Sequence, residues 1–327
     1  MQVDRRLGWI AGAALFAGCA IAAPWLDGFT MSLLTLVFLF AWFGQAWNLA
    51  MGFTGQLSLG HALFAGLGGY AVVIITTRYG LSPWFGLLIG MPIAAAAGAA
   101  IGWLAFRFGV RDVYFALLAI AVAEMMRVIF SNWNFVGGTG GIFLPALSPT
   151  NEPLRTLRGG ALFYYAAALF LAAAGTALLA WLRGARIGYL WRALRDDEAA
   201  ARALGVRAPL HKILACAISA AMTALGGALY AHLNGVIFPD STMGMALSIQ
   251  IIIGPILGGL GTVFGPLVGA LVVVPLGEIS GTLGQSLGIS GMNSIGYGLA
   301  LILLIGLLPG GLWPAIVAGV QSLWRRR

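Results

Sequence analysis

The sequence predicts an all-α polytopic membrane protein of about ten transmembrane helices, and three observations carry that prediction. Of 327 residues, 60% are hydrophobic and only 9% are charged. Mean hydropathy is +0.94. A soluble domain carries roughly 25% charged residues, so most of this surface must face lipid. Apolar runs close to the ~20 residues that a span requires recur along the whole chain, leaving no room for a sizeable soluble domain. The basic residues cluster in the gaps between those runs.

Ten helices are read at about 8–26, 29–50, 56–77, 83–106, 113–131, 160–182, 213–233, 244–260, 262–280 and 292–313. The first follows Arg5 and Arg6 and contains Ala20-Ile21-Ala22, similar to a signal-peptidase site, and Ala17-Gly18-Cys19, faintly like a lipoprotein site. It is retained as an uncleaved span because the topology uses it. With the N-terminus in the cytoplasm, Arg5, Arg6, Arg107, Arg111, the basic residues from Arg183 to Lys212, and Arg325 to Arg327 all lie inside. Arg78, Arg155 and Arg158 lie outside, and Arg127 falls within a span. This asymmetry obeys the positive-inside rule and makes both termini cytoplasmic. It also accounts for the net charge of +8 without nucleic acid, since the only lysine is Lys212 and no aromatic platform interleaves the arginines. Five spans in each half permit an inverted repeat of five plus five. The match of Phe64, Leu67, Gly69, Val72 and Val73 to Phe264, Leu267, Gly269, Val272 and Val273 does not support it. It aligns two helices of the same direction and reflects low complexity.

Within the second helix Gln45 and Asn48 stand three residues apart. The third carries Gly55, Ser58, Ala62, Ala65 and Gly69 at steps of three and four, a single small-residue stripe that lets two helices approach closely. Gln56 and His61 do not fit that purpose, because polar groups in lipid need protein or water beside them. Asn48, Gln56, Ser58 and His61 are therefore candidates to line a translocation pathway. Glu124 and Arg127 pair across one turn of the fifth helix, with Arg127 near its outer end. Their readings are a structural ion pair or, for Glu124, a gate or solute contact. Gly98 with Gly102, and Gly254, Gly258, Gly261, Gly265 and Gly269, repeat the packing pattern, and Gly258 and Gly265 are taken with Gly55, Ala62, Ala65 and Gly69 as helix-packing residues. Gln250 in the eighth helix is a further pathway candidate, and Asn293 opens the tenth. Asp240 and Glu278 fall at outer ends, where solvation suffices. The outer loop 132–159 holds a Gly137–Gly141 run, read as a flexible turn.

Enzymatic chemistry finds no support. His61, His211 and His232 lie far apart, and Cys19 and Cys216 have no metal spacing. A phosphate-cradling loop needs Gly-Lys-Ser/Thr, whereas Lys212 stands between His211 and Ile213.

The inner loop 183–212 is the longest charged segment. Ile187, Leu190, Trp191, Leu194, Ala201 and Leu204 follow helical spacing, Glu198 and Arg202 stand at i,i+4, and Gly205 with Pro209 supplies a stop. This predicts a short amphipathic helix, either lying on lipid headgroups or docking a cytoplasmic partner.

Two stretches carry a family resemblance. Asp197-Glu198-Ala199-Ala200 followed by Gly205 resembles the Glu-Ala-Ala loop of ABC importer permeases. That resemblance implies that Arg195, Asp197, Glu198, Ala199, Ala200 and Gly205 form an ATPase-coupling element. Asn48-Leu49 with the Gly52–Tyr70 run, the Gly137–Gly141 run, and Gly258 to Pro266 together resemble the larger permease subunit of branched-chain amino acid ABC importers, over roughly residues 30–310. The resemblance implies import of branched-chain or related amino acids across the bacterial cytoplasmic (inner) membrane. It implies a second permease subunit, two cytoplasmic ATPase subunits that carry ATP and Mg, and an external solute-binding protein, with no cofactor in this chain. Permeases for urea and other small solutes look similar and stand as the alternative. An ion-coupled secondary transporter would need a titratable midplane group, for which Glu124 is the candidate. A passive channel would leave the inner loop unexplained.

Overall fold

The computed structural model describes residues 12, 14–110, 112–145, 153–286, 298, 302, 306 and 310–325. In chain order the elements are α1 (Ala14–Trp25), α2 (Gly28–Thr54), α3 (His61–Tyr79), α4 (Pro83–Arg107), α5 (Asp112–Asn132), β1 (Ile142–Phe143), the single turn α6 (Pro153–Thr156), α7 (Ala161–Gly184), α8 (Arg186–Asp196), α9 (Glu198–Ala203), α10 (Ala208–Asn234), β2 (Val236–Ile237), the single turn α11 (Pro239–Thr242), α12 (Met245–Gly258), α13 (Gly265–Ser286) and α14 (Leu312–Arg325). Eight segments among the described residues are long and apolar enough to cross a membrane: α2, α3, α4, α5, α7, α10, α11 with α12, and α13. The chain is a multi-pass membrane protein. Most of the expected tenth helix, with Asn293, lies outside the described residues. Leu312–Arg325, which overlaps its expected end by two residues, is helical, and Trp313 meets Phe264 with ring centroids 4.9 Å apart.

Helix α2 is the axle of the bundle. Every residue from Ala41 to Ala50 is buried, enclosed by α7, α10, α12 and α13. A second layer joins α3, α4 and α10 through backbone contact. A Cβ on Gly68 would meet Ala224 O at 2.0 Å, and one on Gly227 would meet Ala65 O at 2.0 Å. Between α12 and α13, a Cβ on Gly258 would stand 1.7 Å from Gly265 O, and one on Gly269 would stand 1.8 Å from Gly254 O. Small residues here bring main chains together where lipid offers no hydrophobic drive for association.

The third span does not begin where hydropathy places it. Gly55 adopts φ 73°, and its N–H donates to the carbonyls of Ala50 and Met51, closing α2 with a left-handed cap. Residues 55–60 are non-helical, and α3 starts only at His61. Gly55 and Ser58 are therefore off the helix, and the five-residue stripe is broken. Ala62, Ala65 and Gly69 remain on the buried side of α3. Non-helical backbone at membrane depth is tolerated only where protein or water surrounds it, and this segment is mostly buried in protein.

The other long connection is also more ordered than expected. The Gly137–Gly141 run is not a loose turn: a 3-10 turn at Asn134–Val136 leads into it, a second occupies Gly138–Gly140, and Gly137, Gly138 and Gly141 take positive φ. It delivers β1 to β2 as an antiparallel ribbon, with Ile142 opposite Ile237 and Phe143 opposite Val236. Leu144 N–H adds a bond to Gly235 O at 2.9 Å. Ile237, Val136 and Leu144 bury themselves against Tyr70 and Val73 of α3.

Candidate functional site

The conspicuous feature of the basic end of the bundle is the segment 186–207. It forms two helices, not one, because Asp197 is extended at φ −155° and caps α9 by accepting from Ala200 N–H at 3.0 Å. Helix α8 packs on α2, α7 and α10. Trp191 is fully buried, and Leu194 clusters with Ala201 and Ala208. Leu204 leaves the expected apolar stripe and is 86% exposed. Ala199, Ala200, Ala203 and Gly205 share that exposed surface, with Gly205 at φ 87°. Helix α10 begins at Ala208, with Pro209 in its first turn, where a missing N–H costs nothing. Glu198 faces inward. It pairs with Arg202 and with Lys212, whose side chain is 7% exposed and lies over the Phe106 ring.

Arg195 leaves this segment and enters the bundle. Its Nη1 donates to Gly52 O at 2.6 Å, while Nε and Nη2 donate to Asp196 Oδ1. Gly52 lies in the last turn of α2. One turn earlier, Asn48 Nδ2 donates to Thr262 O at 2.9 Å, and Asn48 Oδ1 accepts from Gly261 N–H at 2.8 Å. A Cβ on Gly261 would lie 2.5 Å from Arg195 Nη1, and one on Gly55 would lie 3.3 Å from Arg195 Cγ. The end of α2, the α12–α13 turn and α8 thus meet at a junction that only glycine allows. Asn48, a pathway candidate by sequence, clamps that junction.

The other candidates from the Gly52–Tyr70 run are also held by protein. Gln56 Nε2 donates to Thr54 O. Trp47 Nε1 donates to Ser58 O at 2.7 Å. His61 bridges Ser58 Oγ at 3.1 Å through Nδ1 and Ser219 Oγ at 2.8 Å through Nε2. The Ser219 hydroxyl donates to Ala46 O. Nε2 therefore carries the proton toward Ser219, and Nδ1 takes the Ser58 hydroxyl. Ala62 N–H, in the first turn of α3, donates to Ser248 Oγ at 3.0 Å. A small cavity lies alongside, lined by Ser58, Gly60, His61, Phe64, Gly98 and Ala119. Replacing His61 with alanine removes two buried hydrogen bonds and leaves a void. It should destabilise the protein by about 2–4 kcal/mol, read as a lower melting temperature of the detergent-solubilised protein.

Glu124 and Gln250 are exposed, unlike the others. Glu124 Oε1 accepts from Nε and Nη2 of Arg127. Arg127 Nη1 donates to Asp240 Oδ1, so Asp240 is ion-paired and not simply solvated. Side-chain exposure is 48% for Glu124, 25% for Arg127 and 68% for Asp240. Sequence reasoning missed Asp240 because its partner lies 113 positions away. It also missed Ser219 and Gly52, whose roles rest on one hydroxyl and one carbonyl.

The family model for "Branched-chain amino acid transport system / permease component" matches residues 29–308. The chain is similar to the high-affinity branched-chain amino acid transport system permease protein LivM of Escherichia coli (strain K12), at 30% identity over 80% of this chain and 66% of that protein. It therefore spans just under two-thirds of that relative's length. LivM of Salmonella typhimurium is 28% identical over 81% of this chain and 67% of its own length. The permease protein LivH of the same organism is 24% identical over 73% and 80%. No solved structure matches the chain.

Proposed function

The chain belongs to the branched-chain amino acid transport system permease family, and on that premise we propose that it is one membrane-spanning subunit of an ABC importer that moves branched-chain or related amino acids inward. ATP and Mg are handled by two separate cytoplasmic ATPase subunits. A second permease subunit of the kind named for LivH completes the pore, and an external solute-binding protein delivers the solute. The full count of ten spans, with both termini and segment 186–207 on the cytoplasmic side of a bacterial inner membrane, is part of this reading.

The observation that carries the proposal is the α8–α9 segment. One surface shows Ala199, Ala200, Ala203 and Leu204 to solvent, and the other sends Arg195 to the end of α2. A partner seated on the first surface would bias the arrangement of the bundle through the second. Such a shift requires only that the partner bind two states unequally.

The test is co-purification with the ATPase, then uptake in proteoliposomes with a panel of labelled amino acids and urea. Leu204→Asp should weaken ATPase association by about tenfold or more, as for an apolar interface anchor, and leave the thermal stability of the bundle unchanged. Glu198→Arg is a poorer probe, because it would set a cation beside buried Lys212. Uptake that follows a proton gradient without nucleotide would overturn the reading.

A further inference from the structure

The charged cluster on α5 has an unusual position. Gly60 packs against Ala119, so α3 starts about 10 Å along α5 from Asp112, at 1.5 Å per residue. Measured the same way, Tyr79 lies about 39 Å from that end, and Glu124 about 18 Å from it. Glu124 is near half height, Arg127 is one turn above, and Asp240 reaches Arg127 from α11. Exposed carboxylates at that depth do not face hydrocarbon; with Met125, Val128 and Ile129 exposed beside them, this face borders the second permease subunit and the pore it completes.

The valences of the cluster are incomplete. Arg127 uses three of its five N–H donors on Glu124 and Asp240. The bonds to it engage one oxygen of each carboxylate, Glu124 Oε1 and Asp240 Oδ1. Glu124 Oε2 and Asp240 Oδ2 have no bond among the described residues. Two spare guanidinium N–H groups match a carboxylate, and two spare carboxylate oxygens match an ammonium. Tyr70 lies in the apolar cluster with Phe130 and Met243, and its hydroxyl has no partner among the described residues. Gln250 is also exposed, on α12.

We propose that Glu124, Arg127 and Asp240 form a binding site for the paired ammonium and carboxylate groups of an α-amino acid during its passage. The site rests on the importer reading and deepens it: the cluster recognises the head common to all α-amino acids and leaves the side chain to its surroundings.

The experiment uses the complete transporter in proteoliposomes. Ser241→Cys, exposed beside Asp240, is placed in a background with Cys19→Ser and Cys216→Ser. A membrane-impermeant thiol reagent added on the Asp240 side should label it. Leucine should slow labelling by about tenfold, the scale of one charged hydrogen bond. Isoamylamine, which lacks the carboxylate, and 2-ketoisocaproate, which lacks the ammonium, should leave labelling nearly unchanged. Asp240→Asn and Arg127→Gln should each lower initial uptake of labelled leucine by about tenfold or more. Failure of labelling, equal protection by all three compounds, or wild-type uptake in both variants would overturn the site. If the unaltered complex itself imports no amino acid with ATP, the importer reading fails instead.

Discussion

Gly227→Val is expected to yield no folded protein. A Cβ at this position would stand 2.0 Å from Ala65 O and 2.5 Å from its carbonyl carbon and Cα. These are main-chain atoms of a helix and cannot swing aside as a side chain would. Gly68 makes the reciprocal contact with Ala224 one turn along, so one bulky residue must pry α3 and α10 apart over their full interface. Overpacking a core by a few methylene groups costs about 1–3 kcal/mol when side chains can yield. Rigid backbone on both sides raises that cost toward the entire stability of a membrane domain, roughly 5–15 kcal/mol. Size-exclusion chromatography of detergent extracts should show only aggregate. Gly281→Val is the control, because nothing lies within 4 Å of its Cβ position. A monodisperse Gly227→Val peak with wild-type thermal stability would contradict the contact.

Arg195→Gln is expected to separate ATP hydrolysis from transport. The long side chain crosses from α8 to the carbonyl of Gly52, and Asp196 aims its guanidinium. Glutamine is too short for that bridge and carries no charge. Ala199, Ala200 and Leu204 belong to α9 and its cap, whereas the Arg195 guanidinium is spent on Gly52 O and Asp196, so the ATPase should still bind and turn over. Solute moved per ATP should fall by about tenfold or more, since a charge-assisted bond is worth about 1.5–3 kcal/mol. Asn48→Ala should reproduce part of the defect by releasing the turn at Gly261 and Thr262. An unchanged ratio of uptake to hydrolysis in both variants would show that the junction transmits nothing.

Much of this was legible because lipid imposes simple demands on sequence. Long apolar runs located α2, α4, α5 and α7 to within a few residues. Glycine spacing marked residues that pack closely between α12 and α13, without saying which helices they join. What escaped was set by single backbone positions. The break at 55–60 is as apolar as its neighbours, so averaged hydropathy runs through it; the left-handed Gly55 is the physical signal, and a glycine-rich stretch hides it. The division of α8 from α9 hangs on the extended conformation of Asp197. Pairing of Arg127 with Asp240 depends on where α11 descends beside α5, which no local pattern encodes. Four candidates read as water-facing, Asn48, Gln56, Ser58 and His61, are tied into protein contacts, because polarity in a span marks a need for partners without saying which kind.

The two-residue ribbon between β1 and β2 has a mechanical corollary. It rivets the strand after α5 to the strand after α10 through main-chain hydrogen bonds, whereas toward the other extremity Phe115 of α5 and Cys216 of α10 meet in a side-chain cluster. Any rocking of one against the other then has its fulcrum at the ribbon, and displacement grows with distance from it, as in a pair of tongs. The widest swing falls at the extremity where Arg195 takes hold.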